Sequence, residues 1–288
     1  MSVVSWRHVL LKHRLAVQFD PAVQVENIIT KFNSYLSDHG LDSVALNVSG
    51  GIDSAVTAML LQRVRQLPNS NLKKVVFISQ PIGSSAWAYD RAKELCETMG
   101  GEPLIVIDQS AIHSALVQTV SLATQYESNP IADGLLKSSM RTPVIYYITQ
   151  LLRIQGYRAI VMGTGNADED EYIGYFSKSG DGVVDVQLIS KWHKSQVFAV
   201  GDYLGVPRSI LDAPPSADLW ENQTDENELK FPYDFVEFYT GYYLKLADEE
   251  LVSFNLAHQE DEEFWRFKLL CDRIHAANRH KFAGVVNL

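Results

Sequence analysis

The stretch Leu46-Asn47-Val48-Ser49-Gly50-Gly51-Ile52-Asp53-Ser54-Ala55-Val56 decides how this chain folds. The apolar run at residues 43–48 that leads into the glycines is typical of a buried strand. Beyond them, at residues 55–64, apolar side chains recur at helical spacing, which predicts a helix. Residues 49–54 are therefore predicted to form a tight turn between the end of a strand and the start of a helix.

A turn of this kind is suited to binding an anion. Glycine lets backbone amides approach a phosphate closely, and a helix N-terminus adds unpaired N–H groups and the positive end of its dipole. The hydroxyls of Ser49 and Ser54 supply two further donors. Because Asp53 would repel a bare phosphate, we expect a divalent cation between this carboxylate and the ligand. The structural alternative is a glycine-rich turn that binds nothing.

Strands and helices alternate along most of the chain. Apolar runs at 74–79, 103–107 and 158–162 predict three more strands. Helices are predicted at residues 21–38, 86–99, 112–126, 135–154, 193–204, 233–246 and 248–277. This order predicts an α/β fold, a doubly wound parallel sheet with helices on both faces, as one domain over residues 1–288. In such sheets ligands bind at the carboxyl ends of the strands, where the glycine-rich turn lies.

Composition excludes several classes of protein. The net charge of −10 over 288 residues argues against a nucleic-acid partner. No apolar run approaches the roughly 18 residues of a membrane span, and residues 1–19 lack the pattern of a signal peptide. The two cysteines, Cys96 and Cys271, do not have the spacing of a disulfide framework or a zinc site, which favours a cytoplasmic location.

A second informative region follows the strand at 158–162. The run Asp168-Glu169-Asp170-Glu171 has the composition of a solvated turn, which is the usual role of such runs. Here it follows a strand whose carboxyl end faces the same edge of the sheet as the turn at 49–54. We therefore expect one or two of these carboxylates to complete a cation site with Asp53. Residues 220–230 are polar and are predicted to form a mobile loop that closes over the site.

The motif Ser-Gly-Gly-Ile-Asp-Ser resembles the pyrophosphate loop of the ATP pyrophosphatase superfamily. It lacks the lysine that the loop of kinase-like NTPases requires after its glycines. Other motifs occur in a characteristic order: Gly163-Thr164-Gly165-Asn166 with Glu169-Asp170, the segment 174–185, the segment 215–219, Thr224 to Leu229 with Tyr233-Asp234, and His280-Lys281. Together they resemble the ammonia-dependent NAD+ synthetase family, from about residue 20 to 281, without a glutaminase domain.

The resemblance implies a ligase that amidates deamido-NAD (nicotinic acid adenine dinucleotide) with ammonia, using ATP as co-substrate and Mg²⁺. It implies an adenylated carboxylate as intermediate, AMP and pyrophosphate as products, and a homodimer, for which helices at 111–126 and 144–152 offer apolar faces. The implied magnesium ligands are Asp53 and Glu169; Asp170 is the rival because one residue is inserted relative to the family pattern. We prefer Glu169.

The resemblance also assigns residues to each substrate. The positions that match ATP contacts are Ser49, Gly50, Gly51, Ile52, Ser54, Thr164, Lys194 and Ser216. The positions that match contacts to deamido-NAD are Arg141, Lys178, Asp185, His280 and Lys281. Catalytic roles are implied for Asp53, for Lys194 at the α-phosphate, and for Asp185 in handling the proton that ammonia loses.

Two departures from the family pattern concern contacts to the substrates. Ser79 stands where the family often has an arginine that touches ATP, and Ser139 replaces the first arginine of an Arg-x-Arg pair, leaving Arg141. Losing one such contact weakens binding of an anion by about 1.5–3 kcal/mol if nothing compensates. A different small carboxylic acid therefore stays open as the acceptor. A catalytically inactive nucleotide-binding protein is a further alternative, against which the joint presence of Asp53, Glu169 and Lys194 argues.

Overall fold

A five-stranded parallel sheet forms the centre of the fold in the computed structural model, which describes residues 5–100, 103–218, 223–285 and 287. The spatial order is β3-β2-β1-β4-β5. The strands are β1 (Ser43–Asn47), β2 (Lys74–Ser79), β3 (Leu104–Val106), β4 (Ala159–Gly163) and β5 (Val186–Gln187). In the central strand, Leu46 lies opposite Phe77 of β2 and Met162 of β4. The predicted α/β fold with a parallel sheet is confirmed.

Helices cover both faces of this sheet. The first face carries α2 (Pro21–Asp38), α3 (Ile52–Arg65), α4 (Ala86–Met99) and α7 (Lys194–Leu204). The second face carries α6 (Pro130–Ile154), and α5 (Ser110–Thr124) packs on α6. Successive side chains of β1 point to opposite faces of the sheet, so Leu46 packs in the core under the first layer of helices and Ala45 in the core under the second. No helix within the described residues is long and apolar enough to cross a membrane.

A separate aromatic cluster joins the two ends of the chain. It contains residues of α1 (Trp6–Val17), α10 (Tyr233–Gly241), α11 (Asp248–Ala257) and α12 (Glu262–Phe282). Trp6 is fully buried, and its ring lies 5.3 Å from that of Phe235 and 5.7 Å from that of Phe238. The Trp6 indole N–H donates to Glu263 over 3.0 Å, which fixes the start of α1 on α12.

Several element boundaries differ from the sequence-based predictions. Helix α6 begins at Pro130, five residues early, because the Asn129 side chain accepts the N–H of Ile131 and caps it. The single helix predicted at 248–277 is wrong: the chain breaks between α11 and α12, and Asp261 starts the second helix by accepting the N–H of Phe264. The helix predicted at 233–246 ends at Gly241 and is followed by the 3₁₀ turn Tyr243–Lys245.

Three short or terminal elements were not predicted. They are α1, the two-residue strand β5, and α8 (Arg208–Leu211). The polar segment predicted as a loop also contains α9 (Asp225–Leu229), whose Asp225 and Leu229 are buried. Residues 219–222, which include the first three residues of that segment, lie outside the described residues, and its mobility stays a prediction.

Gly50 determines the path of the chain after β1. Its φ of +84° lies in the left-handed region, and a Cβ at this position would lie 2.3 Å from the backbone oxygen of Ala88 in α4. Only glycine avoids both the strain and the contact. Gly100, at the end of α4, has a φ of +60° but open space around it. Comparing substitutions at the two glycines therefore separates the cost of left-handed backbone strain from the cost of close packing.

We expect Gly50→Ala to lower the free energy of unfolding by about 2–5 kcal/mol, since left-handed strain of about 1–2 kcal/mol adds to a backbone overlap of about 1–3 kcal/mol. Gly100→Ala should show the strain alone, about 1–2 kcal/mol. Urea denaturation of both variants, followed by circular dichroism, measures the difference. Equal losses in the two variants would show that the approach of Ala88 to the loop is unimportant.

Candidate active site

A cavity of about 560 Å³ opens at the carboxyl ends of β1, β2 and β4. The order of the strands reverses between β1 and β4, and this is the place where parallel α/β sheets bind ligands. All six residues from Ser49 to Ser54 line one wall. The opposite wall comes from the chain that follows β4, including Thr164 and Glu169. Two of the segments that line the cavity are therefore those that the sequence singled out.

The wall at residues 49–54 is a compact turn stabilised by its own hydroxyls. Ser54 Oγ donates to the carbonyl oxygen of Gly51 over 3.0 Å and lies 3.1 Å from Ser49 Oγ. Ser49 Oγ in turn accepts the N–H of Gly51. Helix α3 begins immediately afterwards, at Ile52, so its first-turn N–H groups lie at the cavity wall. This arrangement suits a phosphate group.

A buried ammonium group joins two carboxylates at the centre of the site. Lys194 Nζ lies 2.6 Å from Asp53 Oδ2 and 2.7 Å from Glu169 Oε1, and the residue is only 3% exposed. Burial by itself would lower the pKa of Lys194, but the facing carboxylates raise it above its usual range. Lys194 is therefore charged at neutral pH, and it holds the start of α3 against the segment after β4.

Asn166 is a site residue for which the sequence suggested no role. It is fully buried, and its Nδ2 donates to Asp53 Oδ1 over 2.9 Å. Its Oδ1 accepts the backbone N–H groups of Asp168 and Glu169, each over 3.1 Å. Asn166 thus fixes the carboxylate of Asp53 and the backbone at Glu169, the two residues whose carboxylates contact Lys194. The only sequence signal was its place in the Gly-Thr-Gly-Asn motif.

Tyr233 is the second such residue. Its hydroxyl lies 2.7 Å from Glu169 Oε1 and 2.9 Å from Asp225 Oδ2, and its ring centre is 4.9 Å from Lys194 Nζ. Burial and the nearby Glu169 raise the pKa of Asp225 to about 6. In the sequence, the Tyr-Asp pair at 233–234 is informative only as part of the resemblance, and nothing local indicates that this hydroxyl reaches Glu169.

The acidic run after β4 does not form a solvated turn. It forms the π-helical turn Asp168–Ile173, which aims its side chains in different directions. Asp168 is fully buried below α7, whereas Glu171 points outward to an ion pair with Lys191. Asp170 Oδ2 accepts from Gln187 Nε2 over 3.0 Å, and burial, aided by Glu169, raises the pKa of Asp170 to about 7. Of the four, Glu169 is the one held beside Asp53.

The donor set fits a magnesium ion that shares its coordination with a substrate. Magnesium typically takes one or two protein carboxylates and completes its shell with phosphate and water oxygens. Asp53 and Glu169 face the same ammonium from two sides, next to the anion-binding turn. Among the described residues no group of three or more His, Cys, Asp or Glu side chains forms a metal cage. This geometry favours Glu169 over Asp170.

Four other residues assigned by resemblance also line the cavity: Thr164, Ser216, Arg141 and Lys281. The Arg141 guanidinium is buried, which lowers its pKa, and its Nε donates to the carbonyl oxygen of Gln80 over 3.2 Å. Lys281 Nζ donates to the carbonyl oxygens of Gly174 and Phe176. These two cations are brought to the same cavity as Lys194.

Three assigned residues do not line that cavity. Lys178 Nζ donates to the carbonyl oxygens of His280 and Ala283, over 2.7 and 2.9 Å. His280 is exposed on the last turn of α12. Asp185 is exposed beside β4, where it accepts the N–H of Val161 over 2.7 Å and the hydroxyl of Tyr146 over 3.3 Å. Their roles stay predictions.

The two positions that depart from the family pattern differ in their surroundings. Ser79 is buried at the end of β2 and lines the cavity. Ser139, on α6, lies 2.7 Å from Ser179 through their hydroxyl oxygens and is not part of the lining. Neither serine replaces the charge of an arginine.

Comparisons with known proteins agree with this site. The profile of the NAD synthase family matches residues 24–282. The ammonia-dependent NAD+ synthetase of Alkaliphilus metalliredigens is 32% identical over 237 residues, which are 80% of this chain and 91% of that protein. The solved NMN synthetase of Francisella tularensis superposes with a TM-score of 0.71 at 27% identity, covering 94% of this chain and 99% of that one.

The solved NAD+ synthetase of Burkholderia pseudomallei shares the fold, with a TM-score of 0.66 at 23% identity over 96% of this chain and 95% of that one. The family profile spans the whole sheet, the anion-binding turn and every residue that contacts Lys194. The chain therefore belongs to the NAD synthase family, together with the ammonia-dependent NAD+ synthetases.

Proposed function

We propose that this chain amidates the nicotinate carboxylate of deamido-NAD with ammonia, and that Asp53, Glu169 and Lys194 are its catalytic centre. Family membership makes the chain a ligase that uses ATP. The observation that carries the assignment of the centre is the buried Asp53–Lys194–Glu169 cluster beside the turn at residues 49–54. The cluster lies where the sheet presents its carboxyl ends to a nucleotide-sized cavity.

The first chemical step activates the acid. A carboxylate resists ammonia because its carbonyl carbon is electron-rich and oxide is a poor leaving group. A carboxylate oxygen therefore attacks the α-phosphorus of ATP, and the bond from that phosphorus to pyrophosphate breaks. The amides and hydroxyls of residues 49–54 stabilise the charge that builds on the leaving pyrophosphate, and Lys194 does so at the α-phosphate.

Asp53 and Glu169 would hold Mg²⁺ in this step. When bound, the ion supplies positive charge that neutralises the phosphate oxygens. Two carboxylates, of Asp53 and Glu169, face the single ammonium of Lys194. The three side chains together therefore carry a net negative charge, which favours binding of a cation. Asn166 and Tyr233 keep both carboxylates in place by hydrogen bonds.

The second step forms the amide. Ammonia attacks the carbonyl carbon of the adenylate, the bond from that carbon to the phosphate oxygen breaks, AMP departs, and one proton is released. Asp185 is the residue that the resemblance suggests for this proton. In the single chain its carboxylate is engaged by Val161 and Tyr146 outside the cavity, so this role stays a prediction. A closed cavity protects the adenylate from water.

A second acceptor, the mononucleotide acid whose amide is NMN, is favoured by one specific observation. Ser139 provides a hydroxyl, already bonded to Ser179, at a position where the family pattern places a cation for the dinucleotide. An acceptor with fewer phosphate charges needs fewer cations, and the solved NMN synthetase shares 27% of its sequence with this chain. The chemistry of the two acceptors is the same.

The protein is also proposed to be a homodimer that pairs through α5 and α6. Helix α5 is rich in apolar residues, yet it buries none of them within the described chain. Its exposed side chains include Ile112, Val120 and Leu122, and α6 adds Tyr147 and Ile154. Exposed apolar side chains on two helices that pack on each other are typical of a contact site. A second copy offers the same surface, as the isologous contacts of two-fold dimers require.

Asp53→Asn and Glu169→Gln should each raise the Mg²⁺ concentration needed for half-maximal NAD formation by about tenfold or more, since each removes one carboxylate from the ion. Asp170→Asn should stay within about threefold of the wild type. The measurement is NAD and AMP formation from ATP, ammonium and deamido-NAD across a Mg²⁺ titration. An Asp170→Asn variant that behaves like Glu169→Gln would move the site to Asp170. Wild-type protein that forms no NAD in this assay would refute the proposed amidation of deamido-NAD.

Ser139→Arg should raise kcat/KM for deamido-NAD by about 10–100-fold, because it restores a charged contact worth about 1.5–3 kcal/mol. Ser253→Arg, an exposed position on α11 outside the cavity, adds the same charge and should change nothing. Comparing kcat/KM for the dinucleotide and mononucleotide acids in the wild type and both variants tests the acceptor. A wild type that prefers the dinucleotide, with no gain in Ser139→Arg, would count against the second acceptor.

Leu122→Glu on α5 should convert a dimer to monomers, since it places a charge in an apolar contact. Leu256→Glu on α11 is a matched control, because the two leucines are 68% and 65% exposed. Light scattering coupled to size-exclusion chromatography gives the mass of each variant. A wild-type monomer, or a Leu122→Glu variant that remains dimeric, would show that this face does not join two copies.

A further inference from the structure

Helix α1 lies outside residues 24–282, which the family profile matches, yet it is linked to the helix that carries Lys194. Helix α10 lies between them, because α1 packs on α10 and α10 packs on α7. The link runs through one side chain of α10, Glu237. This carboxylate is 3% exposed, so it is a buried charge that needs partners.

Glu237 receives hydrogen bonds from both sides. From α1, Arg14 Nε donates to Oε1 over 2.9 Å, and Arg14 Nη2 contacts Oε2 as well as the exposed Asp234. From α7, Ser195 Oγ donates to Oε2 over 2.7 Å. Burial alone would raise the pKa of Glu237, but the bond from Arg14 lowers it, so the group is ionised. Ser195 directly follows Lys194, so Glu237 fixes the first turn of α7.

A second buried carboxylate holds the same turn from the other side. Asp168 is fully buried, accepts the backbone N–H of Lys194 over 2.6 Å, and pairs with His193 Nδ1 at 2.7 Å. Residues 193–195 are therefore held at three successive positions. In this position the side chain of Lys194 reaches both Asp53 and Glu169, with Nζ within 2.7 Å of an oxygen of each.

We propose that Arg14 is a positioning residue for Lys194, acting through Glu237 and Ser195. Without the guanidinium, Glu237 is a buried carboxylate that lacks its cation, so it either takes up a proton or turns toward water. Both responses weaken its bond to Ser195 and let the start of α7 move. A displacement of about 1 Å at a reacting group costs about 100-fold in rate. This inference rests on the role proposed above for Lys194.

The chain offers a matched control on the same helix. Arg7 also anchors α1 by an ion pair, with Glu263 on α12, and its Nη2 donates to Glu263 Oε1 over 3.0 Å. Within the described residues, Glu263 accepts hydrogen bonds from Trp6 and Arg7 and from no residue of α7. Losing either arginine loosens α1, but only the loss of Arg14 disturbs the first turn of α7.

The experiment compares Arg14→Met, Arg14→Lys, Ser195→Ala and Arg7→Met in the full chain. We expect kcat for amide formation to fall about tenfold or more in Arg14→Met and Ser195→Ala, to recover largely in Arg14→Lys, and to remain unchanged in Arg7→Met. Melting temperature should fall more in Arg14→Met than in Arg7→Met, because Glu237 is buried whereas Arg7 and Glu263 form an exposed pair. Calorimetry of MgATP binding should show a matching loss of affinity in Arg14→Met and Ser195→Ala only.

The outcomes separate this inference from the proposed function. Equal kcat and MgATP affinity in Arg14→Met and Arg7→Met would overturn the positioning role, whatever their stability. If Arg14→Met does not fold, kcat and MgATP affinity are compared between Ser195→Ala and Arg7→Met, because Ser195→Ala removes only one hydroxyl. Equal values in these two variants would overturn the positioning role. Wild-type protein that binds MgATP but forms no amide would refute the proposed function alone, and the calorimetric comparison would still decide the role of Arg14.

Discussion

The ammonium of Lys194 between the carboxylates of Asp53 and Glu169 is the interaction on which the site depends. It joins three segments that are far apart in the sequence: the start of α3, the turn after β4, and the start of α7. Removing one partner of a buried ion pair typically costs about 3–5 kcal/mol, because the other charge is left uncompensated. The three segments must therefore meet in one arrangement, and Asn166 and Tyr233 satisfy the remaining hydrogen bonds of the carboxylates.

The same ion pair explains why a cation is expected with the substrate. A protein of net charge −10 must concentrate positive charge to bind polyphosphates. Lys194 is already committed to two carboxylates, and Lys281 donates to two backbone carbonyls. Arg141 is half-buried, and the charges of Asp181 and Asp218 act on its guanidinium. We therefore propose that a divalent ion at Asp53 and Glu169 adds to the positive charge that these side chains offer to phosphate oxygens.

Local patterns were enough for the sheet and the anion-binding turn, because strand runs and helical spacing are properties of neighbouring residues. Local patterns did not predict features that depend on a capping side chain, on a very short strand or on residues distant in the sequence. No glycine or proline marks the break at residues 258–261, where α11 ends and the cap at Asp261 starts α12. Strand β5 has too few residues to form a pattern. Lys194 came from the family resemblance, since nothing local links it to Asp53, 141 positions away. Asn166 and Tyr233 were missed for the same reason: their partners lie in other elements.

Helix α10 shows how a short helix can determine a site that it barely enters. Tyr233 and Glu237 are four residues apart, so they lie on one face, a turn from each other. The first fixes Glu169 through its hydroxyl, and the second fixes the start of α7 through Ser195. A single rigid element thus sets both the carboxylate and the lysine of the central ion pair. Its own position depends on the aromatic cluster and on Arg14 of α1, so the geometry at the centre of the site extends to the first helix of the chain.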